Sequence, residues 1–200
     1  MYKIGITGSI GSGKTTIASM FASFSIPIFD ADKEIKKILR KRKIQLELRN
    51  IWPSVIKKNY IDTLKLRKII FSNNKEKKKL EKLLYPYLEI ERKKFENSYY
   101  REKILVYDVP LIYETKSEKR YDKILLAYCD MTVQKKRVLT RDNISDSLFK
   151  NILKTQLSFD EKMKFKPYVI NTNNIRIFIF IKLIILLIKI LIKLRLENGK

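Results

Sequence analysis

Five short runs of apolar residues recur along the chain, and each ends at a glycine-rich or polar segment. They span residues 2–7, 26–29, 104–107, 124–128 and 168–170. The stretches between them place apolar residues at helical spacing, beginning with residues 14–24. Strands that are apolar throughout and alternate with helices are typical of a parallel sheet covered on both faces. The pattern therefore predicts an α/β fold, a three-layer sandwich built on a five-stranded parallel sheet.

Three further segments are predicted to be helical. Residues 33–103 are dense in Lys, Glu and Leu, and residues 133–164 continue with a similar mixture. The tail, residues 175–196, is dominated by Ile, Leu and Lys, and its lysines interrupt the apolar run. A membrane span needs roughly 20 apolar residues. We therefore expect the tail to form a terminal helix packed on the sheet, with a helix lying on a membrane surface as the alternative.

Composition limits the chemistry that the chain can perform. Its 200 residues suit one compact domain with inserted subdomains. The sequence contains no histidine, which excludes a histidine general base and zinc sites built on imidazole. The single cysteine, Cys129, excludes an internal disulfide and fits a reducing compartment. No apolar leader follows Met1, so a cytoplasmic location is expected.

The chain is strongly basic, with 44 Lys and Arg against 21 Asp and Glu and a formal net charge of +23. Lysine outnumbers arginine, and Ile and Asn are also abundant, as in proteins whose codon usage has drifted toward A and T. No nucleic-acid-binding motif accompanies the charge, so we expect no nucleic-acid partner. A basic surface would still attract phosphorylated small molecules.

A glycine-rich loop carries the clearest chemical signal. Residues 8–15 read GSIGSGKT and match the phosphate-binding pattern G-x-x-x-x-G-K-[ST], with a predicted strand before them and a predicted helix after them. We call residues 8–15 the glycine loop. Small residues allow its backbone to wrap around phosphate oxygens, and the following helix points its positive end at them. The loop therefore predicts a site for a nucleoside triphosphate with Mg²⁺.

Each position of the loop has an expected role. The backbone of Gly11, Ser12 and Gly13 would cradle the phosphates, and Lys14 would reach the β and γ phosphates. Thr15 offers a hydroxyl to Mg²⁺, and the next residue of the helix, Thr16, adds a donor near the phosphates.

Carboxylates follow two of the predicted strands. Asp30 and Asp32 end the second strand, and Asp108 ends the third. Phosphoryl transfer to a hydroxyl needs one carboxylate that orients or accepts the acceptor proton and another that holds Mg²⁺. We assign Asp32 to the first role and Asp108 to the second. Capping of the next helix is an equal alternative for Asp30.

Cationic groups are expected to close over the transferring phosphoryl group. Gln134, Arg137 and Arg141 are spaced so that one helical face presents them together. Arg141 precedes residues 142–145, a polar turn that would suit a mobile lid.

These pieces together resemble the dephospho-coenzyme A kinase family. The matching stretches, in order, are residues 4–21, 26–32, 66–71, 80–86, 106–114, 134–145, 155–162 and 168–173. The glycine loop is common to many kinases, whereas FDAD at 29–32 and DVPLIYE at 108–114 are more specific. The resemblance implies transfer of the ATP γ-phosphate to the ribose 3′-hydroxyl of dephospho-coenzyme A.

The resemblance also implies a domain organisation. A nucleotide-binding core would comprise residues 1–32, 104–133 and 160–200, which end in the low-complexity helix at 175–200. Residues 33–103 would form a helical acceptor domain, and residues 134–159 a small lid region. The expected partner is the small molecule dephospho-coenzyme A. We expect no membrane partner, and we expect a monomer or weak oligomer.

Individual residues match family positions. Asp32 corresponds to the proposed catalytic carboxylate, Arg141 to a lid residue near ATP, and Asn171 to a strand end near the adenine. Asp108 and Tyr85 would contact the acceptor. Three positions depart from the family pattern: Ser9 stands where Gly is usual, Thr63 where Arg is usual, and Tyr85 where His is usual.

Two other functions fit parts of the sequence. One is a different nucleoside or nucleotide kinase with the same glycine loop, although such kinases would lack DVPLIYE. The other is a basic module that binds nucleic acid or a membrane surface and retains a vestigial loop. Such a module would bind its partner with a steep salt dependence.

Overall fold

A computed structural model describes residues 1–57, 60–142 and 145–198. Its strands in chain order are β1 (Tyr2–Thr7), β2 (Ile28–Asp30), β3 (Ile56–Lys57), β4 (Tyr60–Ile61), β5 (Ile104–Asp108), β6 (Lys123–Tyr128) and β7 (Tyr168–Asn171). Its helices are α1 (Lys14–Ala22), α2 (Ala31–Leu39), α3 (Arg42–Ile51), α4 (Thr63–Ser72), α5 (Asn74–Ser98), α6 (Met131–Asp142), α7 (Asp146–Lys154), α8 (Phe159–Met163) and α9 (Arg176–Asn198).

The predicted five-stranded parallel sheet is confirmed, in the order β2-β5-β1-β6-β7. The second strand begins at Ile28 instead of residue 26, because Pro27 has no N–H and joins the ladder only through its carbonyl, which accepts from Val106. Asp30 pairs in register with Asp108 at the carboxyl edge of the sheet. The same edge carries the glycine loop, which follows β1.

Helices cover both faces of the sheet. On one face, α1 and α9 pack on β1 and its neighbours, with Ile17 and Phe21 of α1 fully buried. On the other face, Phe95 of α5 packs against Phe29 with the two rings tilted and their centroids 5.5 Å apart. α1 and α5 therefore lie on opposite faces of the sheet.

Residues 35–88 build a second apolar cluster of their own. Ile38, Ile44, Leu48 and Leu66 are its most deeply buried helical members, on α2, α3 and α4. The region is mostly helical, as predicted, but it also contains the antiparallel pair β3–β4. Two residues per strand are too few for an alternating pattern to be visible in a sequence.

The stretch predicted as helical over 133–164 is divided into α6, α7 and α8. Ser145 is the N-cap of α7, and its hydroxyl accepts from Leu148 N–H. Ser158 is the N-cap of α8 and forms a reciprocal capping box with Glu161. Both serines satisfy N–H groups that a continuous helix would have bonded to its own backbone. Residues 143 and 144 of the predicted lid turn lie outside the described residues.

The tail forms one long helix, α9, that packs on the sheet as predicted. Its buried residues join the cluster beneath α1, and Phe180 stacks on Phe24 at 4.9 Å between ring centroids. None of the helices in the described ranges combines the length and the apolar character that a membrane span requires.

Candidate active site

A cleft of about 2230 Å³ opens at the carboxyl edge of the sheet. Its walls come from the glycine loop and α1, from the acceptor-side helices α2, α4 and α5, and from α6 with the turn after β7. Parallel sheets bind their ligands at this edge. The segments that were predicted to act on one phosphate chain are far apart in the sequence. In the structure they meet in this one cavity.

The glycine loop has a backbone that only glycine adopts without strain. Gly13 precedes α1 with φ 94°, and a Cβ atom there would lie 2.8 Å from the Thr172 side chain. Gly11 has φ 75°, and its Cβ atom would lie 2.5 Å from Val138. α1 begins without a capping side chain, and its first turn lines the cleft, so the positive end of its dipole faces the cleft. Thr15 and Thr16, in the first turn of α1, also line the cleft.

Two glutamines hold the loop at Ile10. Gln156, between α7 and α8, accepts from Ile10 N–H at 3.1 Å, and the buried Gln134 of α6 donates to the Ile10 carbonyl. Gln134 therefore supports the loop instead of closing over a phosphate with the two arginines of its helix. Gln156 was not anticipated from the sequence, because it contacts a residue 146 positions away.

A second support comes from the turn after β7. The buried Thr172 hydroxyl donates to the Ser12 carbonyl at 2.8 Å. Arg137 donates to the Thr172 hydroxyl at 2.9 Å and to the Thr172 carbonyl at 2.8 Å. The Arg137 guanidinium thus joins α6 to this turn while it lines the cleft. Thr172, like Gln156, lies in a stretch that resembles the family, but no local pattern there indicates a contact with the loop.

Lys14 lies between the loop and the two carboxylates. Its ammonium donates to the Gly8 carbonyl at 2.8 Å and to the Ser9 carbonyl at 3.1 Å. Burial lowers the pKa of Lys14, and the negative charges of Asp108 and Asp32 oppose that shift. Lys14 is therefore a cation with little solvation, close to both predicted carboxylates.

Asp30 and Asp32 occupy different positions although they are adjacent in sequence. The Asp30 carboxylate accepts from Lys33 N–H at 2.9 Å and caps α2, which is the alternative considered for it. Asp32 lies in the first turn of α2 and lines the cleft. Although water reaches Asp32 through the open cleft, the surrounding walls desolvate its carboxyl group and raise its pKa, with Lys14 opposing.

Asp108 ends β5 at the floor of the cleft. Its Oδ1 atom is buried and has no hydrogen-bond partner among the described residues. Burial raises the pKa of Asp108 to about 6, with Lys14 opposing and Asp30 adding to the increase. A carboxylate with an unpartnered buried oxygen is suited to a ligand that supplies positive charge.

Two arginines from different helices also line the cleft. Arg141, at the end of α6, lines the cleft and lies close enough to Lys14 for its charge to lower the pKa of that residue. Arg67 of α4 also lines the cleft, and its charge favours the ionised form of Asp32. Arg67 was not anticipated. It lies one helical turn after Thr63, and that i, i+4 spacing is the signal that would have found it.

Two predicted residues differ in how they relate to the cleft. Tyr85, on α5, lines it, and burial raises the pKa of its hydroxyl, with Glu81 adding to the effect. Asn171 is outside the cleft lining, and its side chain instead accepts from Asn173 N–H at 2.9 Å. The neighbours of Asn171 that line the cleft are Thr172, Asn173 and Asn174. The adenine contact of Asn171 remains a prediction.

Comparison with known proteins identifies a consistent set of relatives. The family model described as dephospho-CoA kinase matches residues 2–176. A dephospho-CoA kinase from Fusobacterium nucleatum is 36% identical over 178 residues, covering 86% of this chain and 89% of that protein.

Two solved structures superpose on the chain over nearly its whole length. The Thermus thermophilus protein TT1252 superposes with a TM-score of 0.80 at 25% identity, over 94% of this chain and 96% of that one. A dephospho-CoA kinase from Campylobacter jejuni has the same coverage and identity with a TM-score of 0.60. The family match ends at the first residue of α9.

Proposed function

The chain belongs to the dephospho-CoA kinase family and is an ATP-dependent kinase of dephospho-coenzyme A in coenzyme A synthesis, and from this we propose how its residues perform the transfer. The acceptor group is the ribose 3′-hydroxyl. The observation that carries the assignment of roles is the placement of Lys14, whose charge interacts with both Asp32 and Asp108 in one cleft.

The glycine loop binds the triphosphate of ATP. Backbone N–H groups of Gly11, Ser12 and Gly13 surround the phosphate oxygens, and the N-terminus of α1 adds its dipole. Lys14 now donates to the Gly8 and Ser9 carbonyls. In the complex its ammonium turns from these neutral oxygens to the β and γ phosphates, where a full negative charge replaces a dipole.

Asp32 acts on the acceptor hydroxyl. It accepts the 3′-hydroxyl proton as the acceptor oxygen forms its bond to the γ-phosphorus, while the bond from that phosphorus to the β,γ-bridging oxygen breaks and ADP leaves. The raised pKa of Asp32 makes its carboxylate a better proton acceptor than an ordinary aspartate. The chain has no histidine for this task.

The residues at the floor of the cleft fit Mg²⁺. The described residues include no group of three or more His, Cys, Asp or Glu side chains that could hold a metal by themselves. Mg²⁺ beside a nucleotide needs only one or two protein ligands, because phosphates and water complete its shell. The unpartnered Oδ1 of Asp108 and the Thr15 hydroxyl would hold it, and the ion would neutralise charge on the transferring phosphates.

Arginine and tyrosine side chains on the remaining walls hold the other groups of the two substrates. Arg141 lies on the nucleotide side and stabilises the charge of the transferring phosphoryl group. Arg67 and Tyr85 lie on the acceptor side and bind dephospho-coenzyme A. In this assignment residues 33–103 form the acceptor domain and 134–159 the lid region. Coenzyme A synthesis from soluble precursors fits a cytoplasmic location.

A coupled ADP-release assay tests the proposal. Purified protein with Mg-ATP should release ADP with dephospho-coenzyme A, and much more slowly with thymidylate or adenylate. Lys14→Ala should remove nearly all of this turnover, whereas Lys164→Ala, on the exposed end of α8, should leave it unchanged. Equal rates with all three acceptors, or near-normal turnover of Lys14→Ala, would contradict the assignment.

A further inference from the structure

The C-terminal helix α9 has two apolar faces, and the core uses only one of them. The core-facing residues are buried, namely Ile179, Leu183, Leu186, Leu187 and Ile190. On the opposite face a second set recurs at alternating spacings of three and four residues. These five, which we call the outer stripe, are Phe178, Ile181, Ile185, Ile188 and Ile192, and each is between 44% and 57% exposed.

The outer stripe forms a large apolar patch. Five half-exposed Ile and Phe side chains leave on the order of 500 Å² of apolar surface in one continuous strip along the helix. The largest apolar patches on monomeric proteins are of this size, and they commonly mark an interaction surface. Ile177, Leu191 and Leu196 are also at least 45% exposed and extend the strip.

A row of lysines runs beside the stripe. Lys182, Lys189 and Lys193 are exposed, and at 100° per residue they lie roughly 80° around the helix from the centre of the stripe. Lys193 approaches Glu197 at 3.6 Å, and Glu197 is the one acidic side chain in the sequence of α9. Lysines in this position extend their ammonium groups to the level of lipid headgroups when the apolar strip is embedded.

We propose that the outer stripe of α9 binds the surface of an anionic lipid bilayer, with the helix lying in the plane of the interface. Charge decides between the possible occupants. A second copy of the chain would bring two lysine rows together between molecules that each carry a formal charge of +23. An anionic headgroup layer is complementary to the same row and to the whole chain.

The position of α9 is compatible with catalysis at the membrane. α9 packs on the sheet face that carries α1, whereas the long acceptor-side helix α5 packs on the opposite face. A bilayer against the outer stripe would therefore leave the acceptor side of the cleft facing water. The proposal does not depend on the kinase mechanism, because neither the outer stripe nor the lysine row contributes a residue to the cleft lining.

Vesicle flotation with the full chain tests the proposal. The protein should float with vesicles of phosphatidylcholine mixed with phosphatidylglycerol and not with phosphatidylcholine alone. The triple variant Ile181→Gln, Ile185→Gln, Ile188→Gln keeps the charge, and its partition constant should fall by about tenfold or more. Lys182→Gln and Lys189→Gln should each lower the constant by roughly fivefold.

A matched control uses apolar residues of similar exposure elsewhere. Leu46 on α3 and Ile90 on α5 are each 50% exposed. The double variant Leu46→Gln, Ile90→Gln should bind vesicles as the unmodified chain does. Equal loss in this control would show that any exposed apolar group matters, and the assignment to α9 would then fail.

A second readout avoids dependence on the folding of the triple variant. Cys129 is only 5% exposed, so Ile188→Cys provides one accessible thiol for an environment-sensitive fluorophore. Its emission should shift to the blue with anionic vesicles and stay unchanged with phosphatidylcholine. Three results would overturn the proposal: no shift, unchanged binding of the triple variant, or a dimer in sedimentation velocity that the triple variant abolishes. The last would show that a second copy covers the stripe.

Discussion

Replacing Asp108 by Asn should stabilise the ligand-free protein at neutral pH while it removes most of the kinase activity. The reason is the environment of the Asp108 carboxyl group at the floor of the cleft. Its Oδ1 atom is buried without a partner among the described residues, and burial raises its pKa to about 6. The folded state therefore holds this carboxylate in its charged form at a cost.

The sign and size of the effect follow from linkage. A carboxyl group whose pKa is higher in the folded than in the unfolded chain favours folding in its protonated form. Its contribution is complete below the unfolded value of 3.8 and is lost as the pH rises through about 6. About two pKa units correspond to at most about 3 kcal/mol. Since Asn also leaves a polar atom buried, we expect a net gain of about 1–2 kcal/mol, or roughly 3–6 °C in Tm for a chain of this size.

Thermal melts between pH 4 and pH 8 measure this directly. Asp108→Asn should exceed the unmodified chain in Tm at pH 8, and the difference should vanish toward pH 4. Asp160→Asn removes an exposed carboxylate from α8 and serves as the control, for which no comparable gain is expected. The reasoning is refuted if Asp108→Asn melts at or below the unmodified chain at pH 8, or if its kcat with Mg-ATP is unchanged.

Three other variants probe the cleft and the tail. Asp32→Asn should lower kcat by at least about a hundredfold with little change in ATP affinity. Asp30→Asn can still cap α2 and should leave kcat nearly unchanged. Loss of ATP binding by Asp32→Asn with a normal kcat would contradict the assignment of Asp32 as the base. Arg67→Ala should raise KM for dephospho-coenzyme A several-fold and leave KM for ATP unchanged; the reverse pattern would place Arg67 on the nucleotide side. Truncation after Asn174 removes five buried side chains of α9, each of which contributes about 2 kcal/mol to the free energy of unfolding. Together they match the net stability of a typical domain, so the truncated chain should not fold. A cooperative thermal transition in the truncated chain would show that the tail is outside the core.

The sheet could be predicted because its information is local. Each of the five strands contains an apolar run that is followed by a glycine-rich or polar segment, so runs such as residues 104–107 were recognisable without any partner. The glycine loop is local in the same sense, since its pattern and its flanking strand and helix lie within residues 2–22. Helix ends were less well predicted, although the Ser158 and Glu161 pair is a capping signal that is visible in the sequence.

The supports of the loop could not be predicted for the opposite reason. Gln156 and Thr172 contact the loop across 146 and 160 positions of the chain. Both residues lie in stretches that resemble the family, but no local pattern in those stretches indicates that either side chain contacts the loop. Likewise, the apolar residues of the tail predicted a packed helix, but only the packing shows that the face of Leu183 is buried and the face of Ile185 is exposed.

Burial leaves two charges in the cleft, those of Lys14 and Asp108, incompletely compensated when no ligand is bound. Lys14 is desolvated and rests on backbone carbonyls, while Asp108 is desolvated and leaves one oxygen unpartnered within the described part of the chain. Each charge is closer to balance when its proposed ligand is present, a phosphate for Lys14 and a divalent cation for Asp108. The same desolvation that destabilises the ligand-free protein therefore increases the gain on binding, because water no longer competes for either charge. The residue types at the ends of the strands indicate which charges are present. Burial determines how much free energy each charge gains when it binds a ligand.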